Sequence, residues 1–170
     1  IQKTYSFDTA GTKIRTVTTY NYGTDGVTLK NSTTTRNIVH AAVLSTTDPS
    51  AAITAALGAL GTATLKSITY YSGEEGEEKA KATLDYNSQS VWKSTTIFAY
   101  AADGVTLTGS TTYRRASVSP TDAFNTTTLV YTQSNATIKS VSTYLGAENE
   151  EKIQKTYSFD TAGTKIRTVT

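Results

Sequence analysis

The chain has 170 residues, among them 36 Thr, 16 Ser and 11 Tyr, with no Cys and no Met. The lack of cysteine excludes disulfide bonds and Cys-ligated metal sites, and no run of 18 apolar residues predicts a membrane-spanning helix. With a formal net charge of +2, the chain lacks the excess of basic residues that binding to nucleic acid requires.

Segments of alternating apolar and polar residues, separated by polar turns, predict an all-β chain of antiparallel hairpins. In chain order, the predicted strands are 13–22, 27–43, 63–72, 79–87, 91–101, 105–117, 126–131, 136–145 and 152–159. Thr and Tyr suit such strands because β-branched and aromatic side chains fit a pleated, half-buried surface. In the turns, Asp25-Gly26 and Asp103-Gly104 favour side-chain-to-backbone hydrogen bonds and positive φ.

One short helix is predicted near 49–60. Asp48 is a favourable N-cap, Pro49 suits the first helical position, and Gly61 ends the Ala-rich segment. The related segment 119–122 predicts only a single turn.

The alternation also predicts which side chains share a face of the sheet. Three sets are each predicted to lie on one side of their strand: Ile14, Thr16, Thr18, Tyr20 and Tyr22; Ala80, Ala82, Leu84 and Tyr86; Trp92, Phe98 and Tyr100. A sheet with one apolar face must cover it, and the neighbouring half or unit is the expected cover.

The sequence repeats itself at two levels. Residues 1–18, IQKTYSFDTAGTKIRTVT, recur unchanged as residues 153–170, at an offset of 152 residues. Inside this unit, ten of 17 positions match between 63–79 and 136–152, and nine of 12 match between 25–36 and 103–114. The 152-residue unit is therefore interpreted as two diverged halves.

The repeats define the predicted organisation of the chain. The divisions are a second half-repeat over 1–62 that continues from 136–152 of a preceding copy, a first half-repeat over 63–135, and the start of another second half-repeat over 136–170. Without the duplicated residues the unit holds 13 basic and 13 acidic residues, so an array of units accumulates no net charge. Because the chain starts at Ile1 without any Met, we expect a processed product or an excerpt.

The segments YSFDTAGTKI at 5–14 and YNYGTDGVTL at 20–29 resemble YD/RHS repeats. That family places an aromatic-Asp-x-x-Gly turn in each hairpin and winds the hairpins into a continuous sheet. The resemblance implies hairpin repeats on an extracellular protein. It also leaves open a fragment of an enzyme or of a toxin-enclosing shell.

Catalytic chemistry has little support in the sequence. A Ser-His-Asp arrangement would have to use His40, the single histidine, and no nucleophile-elbow motif surrounds any serine. We therefore expect no enzyme activity and no cofactor.

Other candidate sites are weighed against structural roles. Weak Ca²⁺ candidates are Glu74, Glu75, Glu148 and Glu150, although a solvated turn is favoured because Lys79 and Lys152 follow the clusters. Glycosylation acceptor patterns begin at Asn31, Asn125 and Asn135. Trp92 and Tyr113 are candidates for stacking on sugars, with burial in the core as the favoured alternative.

These observations predict a structural repeat module of an extracellular filament, stalk or giant surface protein. Its expected partners are copies of itself, as adjacent repeats or subunits, with no nucleic acid and no membrane span in this segment. The alternative is a glycan- or surface-binding adhesin module, with glycans as partners.

Overall fold

The computed structural model describes residues 2–11, 14–36, 63–115, 124–131 and 137–170. The strands are β1 Lys3–Phe7, β2 Ile14–Tyr22, β3 Leu29–Arg36, β4 Thr64–Ser72, β5 Lys79–Tyr86, β6 Trp92–Tyr100, β7 Leu107–Arg114, β8 Phe124–Asn125, β9 Val130–Tyr131, β10 Ile138–Leu145, β11 Lys152–Phe159 and β12 Ile166–Val169. The all-β prediction is confirmed. The helix predicted near 49–60 is not borne out, since no described residue is helical and that segment itself lies outside the described ranges.

Ten strands form one open antiparallel sheet in the order β1-β2-β3-β4-β5-β6-β7-β10-β11-β12. Each strand pairs with the one before it and the one after it in sequence, except that β7 pairs with β10. Between them, β8 and β9 form a separate two-stranded hairpin. The sheet is thus a meander whose edge strands are β1 and β12.

A register shift occurs in each of the nine ladders of this sheet, and three of these shifts change the predicted faces. In β2, Thr16 pairs with Ser6 and Ile14 pairs with Phe7, so Ile14 moves to the face opposite Thr16. In β6 the shift pairs Trp92 with Tyr86, so Trp92 lies on the same face as Tyr86 and on the face opposite Phe98. In β5 the shift pairs Ala82 with Tyr70 and Ala80 with Tyr71, which are adjacent in β4, so Ala80 lies on the face opposite Ala82. The predictions that put Ile14 with Thr16, Ala80 with Ala82, and Trp92 with Phe98 were therefore wrong, because a β-bulge adds one residue and reverses the alternation.

The core lies on the apolar face of the sheet, beneath the β8–β9 hairpin. Ala82, Leu84, Trp92 and Phe124 are buried there, as the predicted alternation of β5 requires. Around them pack Tyr70, Tyr86, Ile97, Leu129 and Tyr131. A smaller core cluster joins Ile14 and Val17 to the half-buried Tyr5 and Phe7.

The opposite face carries hydroxyl groups, which accounts for much of the Thr and Ser content. One row of paired residues crosses nine strands, through Tyr20, Ser32, Thr69, Thr83, Thr96, Thr112, Ser140, Ser158 and Thr168. Neighbouring hydroxyls bond directly, at 3.0 Å between Thr69 and Thr83 and 2.9 Å between Thr96 and Thr112. These cross-strand hydroxyl pairs stabilise the face of the sheet that lies opposite the core.

Candidate interaction surface at the sheet edge

The outer strand β12 exposes apolar residues that are buried elsewhere in the same chain. Ile166 and Val169 are 54% and 56% exposed, whereas their sequence-identical counterparts Ile14 and Val17 are 7% and 6% exposed. β2 has β1 on one side and β3 on the other, while among the described strands β12 pairs only with β11. Sequence cannot account for the difference, because the residues and their neighbours in sequence are the same. Position in the sheet decides it.

A glutamate joins neighbouring turns at one end of the sheet. The Glu78 carboxylate accepts hydrogen bonds from the Leu29 N–H and the Gly76 N–H, both at 2.9 Å. In the related segment, the Glu151 carboxylate accepts from the Leu107 N–H at 2.9 Å. These backbone donors hold the pKa of both carboxyls below the usual value, since they favour the charged form. We call this contact the glutamate clamp.

An arginine makes an equivalent contact at the opposite end. Arg36, the last residue of β3, reaches past β4 and donates to the carbonyl oxygens of Asn87 at 2.9 Å and Tyr86 at 3.2 Å. Arg114 ends β7 and reaches past β10 to the carbonyl oxygen of Phe159 at 3.2 Å. We call this contact the arginine clamp.

Both clamps link the same places in the repeat. The glutamate clamp joins the turn before β3 to the turn before β5, and the arginine clamp joins the end of β3 to the end of β5. The same two contacts link β7 to β11. Each pair of clamps therefore spans one junction between half-repeats, β3/β4 or β7/β10, and holds both ends of the strands there.

The weak Ca²⁺ candidates do not gather into a site. Glu74, Glu75 and Glu150 are exposed in their turns, and Glu148 accepts an ion-paired hydrogen bond from the Lys79 ammonium at 2.5 Å. That carboxylate raises the pKa of Lys79. In the described part of the chain, no three Asp, Glu, His or Cys residues lie close enough together to hold a metal ion.

Sequence reasoning missed the two glutamates that bond across the sheet, Glu78 and Glu151. Glu78 and Glu151 are identical at matching positions of the two halves, but so are Glu75 and Glu148, and Glu77 and Glu150, so identity alone does not single out the two that bond across the sheet. Both lie directly before a lysine at the end of an acidic cluster, and the whole cluster was interpreted as a solvated turn.

The two aromatic candidates lie against other parts of the protein. Trp92 is 4% exposed, and its indole N–H donates to the Ser94 carbonyl oxygen and the Thr95 hydroxyl, both at 3.1 Å. A ring with so little exposed surface offers no face to a sugar, and this favours the core role. Tyr113 stacks on Tyr131, with ring centroids 4.6 Å apart. Burial and the neighbouring tyrosine raise the pKa of Tyr131 to about 12.

The glycosylation candidates are placed differently. Asn31 lies in β3 and its side-chain oxygen accepts from the Asn21 amide at 2.7 Å. Asn125 is exposed in the β8–β9 hairpin, where its side-chain oxygen accepts from the N–H groups of Thr127 and Thr128. Asn135 and His40 lie outside the described residues.

A cavity of about 550 Å³ opens between the sheet and the β8–β9 hairpin. Its lining includes Lys30, Asn31, Tyr70, Tyr71, Thr126 and Leu129. The Tyr70 ring lies on this face of the sheet with Asn31, its cross-strand partner, whereas the adjacent Tyr71 side chain lies on the opposite face and contacts the Ser32 hydroxyl.

Neither a protein-family model nor a curated protein matches the sequence. Nothing helical in the described ranges has the length and apolar character needed to cross a membrane.

Proposed function

We propose that this chain is a structural repeat module of an extracellular filament, stalk or giant surface protein, in which consecutive repeats extend one antiparallel sheet. The observation that carries the proposal is the contrast between identical residues in β2 and β12. Ile14 and Val17 are buried inside the sheet, while Ile166 and Val169 are exposed at its edge. A further strand beside β12 would remove this exposed apolar surface from water, which is favourable in proportion to its area.

The clamps support extension without any new type of contact. The junction between β3 and β4 leads from a second half to a first half, and the junction between β7 and β10 leads from a first half to a second half. Both junctions have the same glutamate and arginine contacts. A linear array in which each repeat is stabilised by its neighbours needs only these contacts, repeated.

Three sequence properties support the extracellular, non-catalytic setting. The hairpins resemble YD/RHS repeats, the 152-residue unit is electrically neutral, and the chain contains one histidine and no cysteine. The hydroxyl face suits a surface that remains in contact with water.

The proposal is tested by comparing the present chain with chains of two and three 152-residue units in urea and thermal unfolding. We expect the midpoints to rise with the number of units and the transitions to remain cooperative. A matched three-unit chain with Arg36→Ala and Glu78→Ala in its central unit should show a smaller rise in the unfolding midpoint. Equal midpoints for one and three units would contradict the proposal.

The cavity beside the β8–β9 hairpin supports a second function, a glycan-binding adhesin module. Tyr70 supplies aromatic surface, and Asn31 and Lys30 supply polar groups, a combination typical of ligand pockets. A glycan array should then show binding that Asn31→Ala removes and Asn125→Ala preserves. Absence of binding from a multi-unit chain would eliminate this function.

A further inference from the structure

We propose that copies of this chain associate side by side through oppositely charged ends of the sheet: the end with the arginine clamp on one copy packs against the end with the glutamate clamp on another. The occupant of each surface is thus a second copy of the chain. The inference rests on the proposed function, since it describes how filaments built from these sheets join into bundles. The contact involves strand ends and turns all along the sheet, so it does not depend on where the chain begins or ends.

The register shifts place basic residues at one end of the sheet. Each shift leaves one residue of a strand without a partner, as a β-bulge does. At the end with the arginine clamp, five strands have such a residue, and in all five it is basic: Arg15, Lys66, Lys93, Lys139 and Arg167. Four of the five are exposed, and Lys139 is half-buried. We call this end of the sheet the basic end.

The basic residues recur at a regular spacing. They lie in β2, β4, β6, β10 and β12, which is every second strand of the sheet. Because neighbouring strands are about 4.8 Å apart, one basic residue follows another at about 9.6 Å along the sheet. Asp85 shows that three of them lie close together: burial raises the pKa of its carboxyl, and the charges of Lys139, Lys93 and Lys66 all oppose that increase.

The opposite end of the sheet is acidic. Its turns connect β2 to β3, β4 to β5, β6 to β7 and β10 to β11, so they too recur at every second strand. Each of these turns carries at least one exposed carboxylate, and the exposed residues are Asp25, Glu74, Glu75, Glu77, Asp103 and Glu150. We call this end of the sheet the acidic end.

Charge is therefore separated across a sheet that is nearly neutral as a whole. Among the described residues, the strand halves and turns of the basic end hold nine basic and three acidic residues, and those of the acidic end hold six basic and nine acidic residues. Two such sheets attract each other when a basic end meets an acidic end. Both rows of charge belong to the same sheet, so their spacings agree and neighbouring hairpins of one copy can meet neighbouring hairpins of the other.

The strength of this contact depends on repetition and on salt. An exposed ion pair contributes little by itself. Several hairpins in each chain, and several units in each filament, raise the effective concentration for the second and later contacts. Single chains should therefore attract one another weakly and filaments more strongly. Salt should weaken the attraction, because the Debye length falls from about 30 Å at 0.01 M to about 3 Å at 1 M.

Static light scattering of the present chain measures this attraction as the second virial coefficient. We expect a negative coefficient at about 0.01 M salt and a clear shift toward positive values at about 1 M, since screening removes attraction between exposed charges. A coefficient that does not change with salt would overturn the proposal. Repulsion between copies, together with binding of a sulfated polysaccharide to the basic end, would identify a different occupant and would also overturn it.

Two double variants with the same net charge test which end is responsible. Lys66→Glu with Lys93→Glu reverses charge at the basic end, whereas Lys152→Glu with Lys155→Glu adds negative charge near the acidic end. Each pair changes the formal net charge from +2 to −2. The first variant should lose the salt-dependent attraction and the second should keep it. Equal behaviour would contradict the inference, because attraction would then follow net charge alone.

Cross-linking tests the pairing of the ends with both charged ends intact, and so it does not depend on the folding of the charge variants. The chain has no native cysteine, and both Gln89 at the basic end and Ala147 at the acidic end are exposed. We mix the Gln89→Cys and Ala147→Cys variants at low salt and treat them with a short bismaleimide. The mixed dimer should form severalfold more than either dimer of one variant with itself. Equal yields of the three products would refute contact between opposite ends.

The two proposals fail in different ways. If tandem units stabilise one another while copies show no salt-dependent attraction, the structural function stands and the inference falls. If copies attract one another while tandem units are not coupled, the filament falls and the charged contact remains.

Discussion

At the scale of single residues, the turns depend on two glycines at equivalent positions. Gly73 and Gly146 have φ angles of 134° and 139°, in a region that L side chains rarely adopt. A Cβ at Gly73 would lie 2.5 Å from the carbonyl oxygen of Glu77, and one at Gly146 would lie 2.6 Å from that of Glu150. Both contacts are to backbone atoms, which have little room to move.

We therefore expect Gly73→Ala to destabilise the protein by about 1–3 kcal/mol, the usual cost of a strained backbone position, with added cost from the clash. Gly76→Ala in the same turn is the matched control. Its φ of 81° also disfavours a side chain, but a Cβ there meets no atom within 4 Å. Urea unfolding of both variants measures the difference, and equal losses would show that the clash has no effect.

The glutamate clamp makes stability depend on pH. The folded-state pKa of Glu78 and of Glu151 is lowered from the ordinary 4.5, mainly by the backbone N–H groups of Leu29 and Leu107. Protons therefore bind the unfolded chain more readily than the folded one. The stabilisation is fully present above pH 4.5 and is lost as pH falls through the folded-state values.

Glu78→Gln should lower stability at neutral pH and flatten its decline below pH 4.5, with one fewer proton taken up on unfolding in that range. Glu75→Gln, an exposed residue of the same turn, is the control and should leave the acid profile unchanged. Unfolding midpoints measured from pH 3 to pH 7, a range that spans the ordinary pKa values of carboxyl groups, test this prediction. A Glu78→Gln profile parallel to that of the unmodified chain would contradict the clamp.

At the scale of elements, the β8–β9 hairpin covers the apolar face of the central strands. It delivers Phe124, which is 1% exposed and packs on Tyr70 with ring centroids 5.2 Å apart. The hairpin itself is only two residues long on each side, so its backbone pairing is too short to form alone. Packing against Trp92 and Leu84 is what holds it.

Phe124→Ala should cost about 3–5 kcal/mol, the usual range for deleting a buried aromatic ring. Val130→Ala on the same hairpin, where Val130 is 49% exposed, should cost less than about 0.5 kcal/mol. Trp92 is the only tryptophan of the chain, so its fluorescence reports whether the core beneath the hairpin opens. A native spectrum and unchanged stability in Phe124→Ala would contradict this account of the core.

The strands also show how much of the fold could be predicted from the sequence pattern. Alternation and turn residues correctly predicted most of the strands, including the shared face of Ala82 and Leu84. The alternation failed at Ile14, Ala80 and Trp92, because each lies beside a register shift that one strand alone does not reveal. Alternation can be read only as far as the next bulge, and a bulge is a property of two paired strands.

At the scale of the whole molecule, the duplicated segments permit a direct test of position against sequence. Ile14→Ala should cost about 2–5 kcal/mol, as expected for a buried isoleucine. Ile166→Ala changes the identical residue in the identical sequence, yet it is 54% exposed and should cost less than about 1 kcal/mol. Urea unfolding of the two variants measures both.

If consecutive units extend the sheet as proposed, the residue equivalent to Ile166 in a two-unit chain gains a neighbouring strand on its open side. Its substitution by Ala should then cost as much as Ile14→Ala. If the cost stays small in the longer chain, the next unit does not cover this edge.

Sequence alone determined the strand-rich character, the turns and the repeat, because each is written in local residue patterns or in direct identity. Two matters were decided only by the tertiary structure: which of two identical segments is buried, and which glutamates bond across the sheet. Burial and long-range hydrogen bonds depend on the neighbouring strands that surround a residue. Within the described residues, Ile14 and Ile166 have the same flanking sequence, but β2 is paired on both sides and β12 on one.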